Sequence, residues 1–340
     1  MRQLFARMKK SGCAIVALFI ALCLSIFFNG VLLLGMGVAK TASRGVRLEQ
    51  PKKFEEQVLV EGRSADKIAV IPLDGIIAYG AAGALGDSMV DDLKAALRQA
   101  EEDPSIKAVV MSVDSPGGEV TASDTIYHEI QRFARHKPLV YYMNSIGASG
   151  AYYAACGATS VMCSDTTFTG SIGVIISTLN YRELFGKIGL QSVVFKSGKF
   201  KDMLNGAREM TPEEQQYIQD LVMESYGRFV GIVAKARKID EAGLRSGVAD
   251  GRILSGTEAY KDKLVDGLGY VEDAYAKARE LAGARDASVV LYKRSFSFSN
   301  FFQLFGQSSQ AKANVRIDLL QGMPELKPGR MYLLPPFFAP

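Results

Sequence analysis

Three short stretches of this chain carry residues whose types and spacing suit acyl-transfer chemistry. In DSPGG, Asp114 to Gly118, two adjacent glycines follow a hydrophobic run and precede a helical pattern. Bare residues in such a turn let backbone N–H groups point freely at one spot, which is what an oxyanion hole requires. The same residues also suit a plain tight turn. In SIGASGAYYAACG, Ser149 follows a strand pattern and opens a helical one, with Gly147 and Gly150 close by. A serine so placed stands at the carboxyl end of a parallel strand, beside the orphan N–H groups of a helix start. An N-cap would explain the serine alone, but a cap does not need bare neighbours on both sides.

A serine nucleophile needs a base. No histidine follows His136, and GASGA departs from G-x-S-x-G, so the serine, acid, histidine order of α/β-hydrolases is excluded. His128 lies in the preceding helical stretch and suits a surface position. Lysine is the alternative base, and it serves only where burial and apolar neighbours favour its neutral form. The third stretch, VVFKSGKFKDML, offers Lys196, Lys199 and Lys201, and spacing leaves all three open. SADK (64–67) and SQAK (309–312) match S-x-x-K by chance, since no SDN or KTG accompanies them.

Holding these residues requires strands that end where the glycines begin. IAVIPLDGII (68–77), KAVVMSVD (107–114) and PLVYYM (138–143) have strand character, while 87–103 and 121–136 are amphipathic helices, the second with Thr121 as its cap. ASGAYYAACG (148–157) has the make-up of a buried helix. SVMCS, IGVIIS and QSVVFKSG continue as strands, with a helix between the last two. A long helix over 212–237, a helix opening at Ser255 and Gly256, one over 271–282 and a closing strand SVVLYKR complete the pattern. This alternation predicts an α/β fold with parallel pairing and right-handed crossovers.

The net charge of +4 comes wholly from Arg2, Arg7, Lys9 and Lys10, so the remainder sums to zero. A nucleic-acid binder needs a basic surplus on its folded part, and none is present. From Ser11 to Ala39 no charged residue occurs. At roughly 1.5 Å per residue, a helix of that length exceeds a hydrocarbon core of about 30 Å. It also exceeds the apolar core of about 7 to 15 residues in a cleaved signal peptide. The basic residues before it orient the N-terminus toward the cytoplasm and leave the body outside the membrane. The expected organisation is a cytoplasmic N-terminus (1–10), a transmembrane signal anchor (11–39), a linker (40–66), a catalytic domain (67–294) and a C-terminal extension (295–340) with an apolar tail. Cys13 and Cys23 fall in the span. Cys156 and Cys163 make no disulfide framework or metal cluster and suit buried thiols. No phosphate-binding glycine loop is present, and neither metal nor cofactor is expected.

DSPGG, GASGAYYAA, TGSIGV (169–174) and SGKFKD (197–202), in this order within residues 67–283, resemble the signal peptide peptidase A (SppA) family of bacterial serine peptidases in its short single-repeat form. The resemblance implies a fold shared with Clp-type peptidases and crotonases, a parallel sheet with repeated ββα units. It implies Ser149 as nucleophile and Lys201, the lysine before the aspartate of SGKFKD, as general base, with Lys199 only a neighbour. It implies Ser171 as a hydrogen-bonding support for the lysine, and a ring- or dome-shaped homo-oligomer whose sites draw on neighbouring subunits. On this reading Lys201 takes the proton of Ser149, and the N–H groups of Gly118 and Gly150 meet the oxyanion. Signal-peptide remnants and other apolar peptides are the expected substrates. Two rival readings share parts of this pattern. Crotonase-fold acyl-CoA hydratases and isomerases need no serine nucleophile, and the stomatin-associated membrane peptidase usually carries further spans. The tail MYLLPPFFAP is like a signal-peptide remnant in composition; it either packs on its own domain or stays disordered, or it docks in a subunit groove and competes with substrate.

Overall fold

Strands of a parallel sheet are covered on both faces, so they are written as unbroken apolar runs. KAVVMSVD is such a run, and in the computed structural model, which describes residues 20–29, 54–79, 88–294 and 332–333, it forms the centre of the sheet. The chain divides into two units, Met1–Lys52 and Lys53–Pro340. In the first, residues 20–29 are helical (α1) with exposed side chains. Among the described residues no helix is long and apolar enough to cross a membrane. The rest of the expected span 11–39, residues 40–53 of the linker, and all of the extension past 294 except 332–333 lie outside the described residues.

The second unit begins with β1 (Phe54–Val60), β2 (Lys67–Asp74), α2 (Met89–Glu102), β3 (Ile106–Ser115), β4 (Gly118–Glu119) and α3 (Val120–Ala134). It continues with β5 (Leu139–Ala148), α4 (Gly150–Ala155), β6 (Ser160–Cys163), β7 (Phe168–Gly170), α5 (Arg182–Lys187) and α6 (Pro212–Arg237). α7 (Glu241–Ser246), β8 (Ile253–Ser255), α8 (Gly256–Lys261), β9 (Gly267–Leu268), α9 (Val271–Leu281), β10 (Ser288–Arg294) and β11 (Tyr332–Leu333) follow. The main path of the sheet runs β1-β10-β2-β3-β5-β6-β9 and is parallel except where β1 meets β10. The period of two along β2 sorts its side chains: Ala69, Ile71 and Leu73 join the larger core with α2 and α3, while Ile68 and Val70 pack with Ala274 and Ala278 of α9.

β5 does the positioning. Val140 to Met143 pair with β6, and Ile146 to Ala148 pair instead with β7, which carries β8 on its far edge. The strand thus hands its last three residues to a second, branching ladder just before Ser149. α6 is set at its start by local signals, Pro212 at its first turn and a capping box between Thr211 and Glu214, and it ends at a left-handed Lys238.

Three local expectations are corrected. Glu119, not Thr121, is the N-cap of α3, because Gly118 and Glu119 are already held in a strand and the helix starts directly after them. α4 is shorter than 148–157, since Ala148 belongs to β5. QSVVFKSG forms no strand: its residues lie exposed, Phe195 at 95%. β-Branched composition makes a strand only where a neighbouring edge accepts its N–H and C=O groups, and among the described residues none lies beside it. Of IGVIIS, only Ile175 forms a bridge, with Tyr332.

Candidate active site

The turn after β3 is shaped by Gly117, whose φ of 100° lies where a side chain is strained. Its carbonyl accepts from the Ile77 N–H at 2.8 Å, and the Glu119 N–H donates to the Ile77 carbonyl at 2.8 Å. Successive amides of extended backbone alternate in direction, so the Gly118 N–H is turned to the opposite edge. The Ser115 hydroxyl accepts from the Gly117 N–H at 3.2 Å and braces the turn.

β11 pairs along that opposite edge, and the start of α4 lies close beside it. A Cβ on Gly117 would lie 2.5 Å from the Gly150 nitrogen, and a Cβ on Gly150 would lie 3.0 Å from the Gly118 nitrogen. The Gly118 and Gly150 nitrogens therefore lie close together, an approach that the missing side chains of Gly117 and Gly150 permit. This is the arrangement an oxyanion needs.

Ser149 stands at the end of β5 with φ 55° and ψ −115°. Its N–H donates to the Gly170 carbonyl at 2.8 Å, and its carbonyl accepts from the Tyr153 N–H at 2.8 Å to begin the helix. It occupies the N-cap position, yet its hydroxyl makes no capping bond. That hydroxyl is buried and has no hydrogen-bond partner among the described residues. A backbone in this region costs on the order of 1 to 3 kcal/mol, and a buried unsatisfied hydroxyl a further 1 to 3 kcal/mol, costs that cluster where chemistry is done.

Ser171 lies beside it. β7 pairs with β5 so that Gly170 is opposite Ala148, and Ser171 follows with φ 49°, buried, its N–H on the Arg252 carbonyl at 2.7 Å. The fold thus gathers Ser149, Ser171, Gly118 and Gly150 at one end of the sheet. Lys201 is not gathered with them through any bond. It sits in an exposed turn, its N–H on the Gly198 carbonyl at 3.1 Å, and its side chain makes no hydrogen bond or ion pair among the described residues. Lys196 and Lys199 are engaged, with Asp202 at 2.7 Å and with Glu213. Of the three lysines left open by spacing, Lys201 alone has no such partner among the described residues.

β11 occupies the edge of this site. Tyr332 and Leu333 pair antiparallel with Glu119 and Gly118, while Tyr332 exchanges both backbone bonds with Ile175 at 3.1 Å. The dipeptide is therefore held between β4 and the bridge to Ile175. Both side chains are buried, and the Leu333 carbonyl oxygen lies against Gly117, beside the Gly150 nitrogen. The slot accepts extended apolar chain by main-chain pairing.

Several residues of the site were not singled out from sequence. The Asp114 carboxylate accepts the Ile146 N–H at 3.1 Å and ties the DSPGG turn to the strand before Ser149. Asp74, its partner across the ladder, has its carboxyl raised above the usual range by burial and then by the Asp114 charge. The Ser123 hydroxyl is buried directly against Gly150, without a partner among the described residues. Asp114 stood in a motif; Ser123 carried no signal. His128 is exposed on α3. Cys156 and Cys163 are free thiols, each pushed up to about 12 by burial. Among the described residues no group of three or more histidines, cysteines or carboxylates is placed to hold a metal ion.

Comparison with known proteins accords with this architecture. Peptidase family S49 matches residues 131–285, and the Clp protease family matches residues 62–167. A protein of Enterococcus faecium named as a signal peptide peptidase SppA is 36% identical over 245 residues, 71% of this chain and 71% of that one. A Synechocystis sp. protein named as a protease is 41% identical over 217 residues, 64% of this chain and 75% of that one. Protease 4 of Salmonella typhi is 36% identical over 218 residues, 63% of this chain and 34% of that longer one.

Proposed function

Because this chain belongs to peptidase family S49 and is a serine peptidase, we propose that Ser149 is its nucleophile and Lys201 its general base, acting on apolar peptides such as signal-peptide remnants. The observation that carries the reading is the Ser149 hydroxyl, buried and unbonded among the described residues, on a strained backbone beside the amides of Gly118 and Gly150. The amine of Lys201 takes the Oγ proton as Oγ attacks the peptide carbonyl carbon. The carbonyl oxygen becomes an oxyanion between the two amides, each worth on the order of 3 kcal/mol in the transition state. The C–N bond then breaks as the proton passes from Lys201 to the leaving amine. Water, deprotonated by Lys201, attacks the acyl carbon, and the proton passes from Lys201 to Oγ as the bond between the acyl carbon and Oγ breaks. Ser171 orients the lysine.

Among the described residues of one chain Ser149 has no base bonded to it, and Lys201 stands on an exposed turn. This favours a homo-oligomer, a ring or dome, in which Lys201 of the partner subunit completes the site. The exposed Val193, Val194 and Phe195 beside that turn suit such an interface. Covering each is worth about 1.5 to 3 kcal/mol. The uncharged run from Ser11 to Ala39, preceded by basic residues, supports a single anchor in the bacterial cytoplasmic membrane with the catalytic domain outside. The extended Tyr332 and Leu333 in their slot support apolar peptides as the substrate class.

The test is hydrolysis of a fluorogenic apolar peptide by the detergent-solubilised full chain. Ser149→Ala and Lys201→Ala should each abolish it, Lys199→Ala should not, and subunits of the two inactive variants reassembled together should regain activity. Full activity in Lys201→Ala would overturn the assignment of the base, and activity in Ser149→Ala that of the nucleophile.

A further inference from the structure

The turn that carries Lys201 is tied to the domain through the residues on either side of it. Lys199 pairs with Glu213, and the Phe200 ring stacks on Tyr217 with centroids 5.3 Å apart. On the other side, Arg208 takes the Asp202 carboxylate in a fork, Nε to Oδ2 at 2.8 Å and Nη2 to Oδ1 at 2.7 Å. The same guanidinium takes Glu214, Nη2 to Oε1 at 2.6 Å and Nη1 to Oε2 at 2.9 Å. Glu214 is itself a fixed point, because its carboxylate also accepts the Thr211 N–H at 2.9 Å in the capping box of α6. The Asp202 and Glu214 side chains are only 10% and 4% exposed. One cation thus grips two nearly buried carboxylates, and one of these is the residue next to Lys201.

A helix cap needs Glu214 and Thr211 alone. The second fork, to Asp202, adds nothing to the cap and joins the lysine turn to it. A planar guanidinium holds both carboxylates in a set geometry that a lysine cannot reproduce. It also sets the charge near Lys201. The charged groups around that turn are Lys196, Lys199 and Asp202 on the turn itself, and Arg208, Glu213 and Glu214 from the segment packed against it.

We propose that Arg208 is a positioning residue for the peptidase reaction: by holding Asp202 against the capped start of α6, it fixes the backbone from which Lys201 reaches the nucleophile and balances the carboxylate beside it. The proposal rests on the reading of Lys201 as general base.

The experiment measures kcat and KM of the detergent-solubilised full chain across neutral and alkaline pH, for Arg208→Gln, Arg208→Lys, Asp202→Asn and Lys201→Ala, with a thermal melt of each. A displacement of about 1 Å can cost on the order of 100-fold, so Arg208→Gln should lose about 10- to 100-fold in kcat with KM little changed. Its rise of activity with pH should move to higher pH, because Asp202 then stands beside the lysine less balanced and favours the ammonium form. Asp202→Asn should move the rise the other way, because it removes a negative charge beside the lysine. Arg208→Lys keeps the charge without the fork, so the rise should stay in place while only part of kcat returns. If Lys201→Ala stays active, the base assignment and this proposal fail together. If Lys201→Ala is inactive while Arg208→Gln keeps its kcat, or both charge variants leave the pH dependence unmoved, the proposal alone fails. Should Arg208→Gln melt early, the pH dependences of Arg208→Lys and Asp202→Asn decide.

Discussion

Ser149 and Gly170 are joined by one backbone hydrogen bond, the Ser149 N–H donating to the Gly170 carbonyl at 2.8 Å. The bond closes the short ladder between β5 and β7, and both chains leave it through left-handed conformations: Ser149 at φ 55°, Gly170 at 74° and Ser171 at 49°. Ser149 and Ser171 stand side by side because two neighbouring strands end and turn at the same level.

Strain at Ser149 has a measurable consequence. Glycine tolerates this backbone and alanine does not, so Ser149→Gly should exceed Ser149→Ala in stability by about 1 kcal/mol. Both should be inactive. Denaturant midpoints that coincide for the two variants would remove strain from the account.

Gly150 is where the two amides approach each other. A Cβ there would press on the Ser123 hydroxyl and lie 3.0 Å from the Gly118 nitrogen. Gly150→Ala should therefore cost about 100- to 1,000-fold in kcat by spoiling the oxyanion contact. Removing the obstructing hydroxyl as well, in Gly150→Ala with Ser123→Ala, should restore part of it. A double variant no better than the single one would place the damage elsewhere.

Tyr332 and Leu333 of the tail fill the slot beside Gly118. Deleting residues 331–340 removes the strand formed by Tyr332 and Leu333 and frees the edges at Glu119 and Ile175. The apparent KM for short apolar peptides should fall, with no new activity on folded proteins. An unchanged KM in a correctly assembled variant counts against competition.

Acid should loosen the platform under Lys201. Arg208 first, then the Thr211 amide, hold the Glu214 carboxyl down at about 2, below its usual 4.5, and Asp202 is depressed in the same direction by Arg208 and Lys196. A carboxyl with a lowered value in the folded state stabilises fully above its ordinary value, and that contribution is lost as pH falls through the folded one. Melting temperature should thus decline between about pH 4.5 and about pH 2 less steeply in Glu214→Gln than in the wild type. Parallel declines would show that the pair does not stabilise the fold.

Elements whose signals are local can be read from the residues themselves. α6 runs over 212–237, with a proline and a capping box written at its start, whereas its left-handed end at Lys238 carries no such local signal. β10 covers SVVLYKR, and the glycines of DSPGG and GASGA lie where a bare backbone is needed. QSVVFKSG has the same strand composition but pairs with no edge among the described residues, and composition cannot supply an edge. Spacing likewise leaves Lys196, Lys199 and Lys201 open, and which of them is paired depends on the turn's own folding and on α6, which supplies Glu213. Tertiary structure alone decided that Gly118 meets Gly150, that Ser123 presses on that contact, that Arg208 joins Asp202 to Glu214, and that Tyr332 and Leu333 lie beside the site. The Gly118, Ser123 and β11 contacts bring together segments that lie far apart in the chain, and the Arg208 bridge depends on how a turn packs against a helix. Local propensity determines an element where its signals are adjacent, whereas a site is made by whichever residues the packed sheet and helices bring into the same few ångströms.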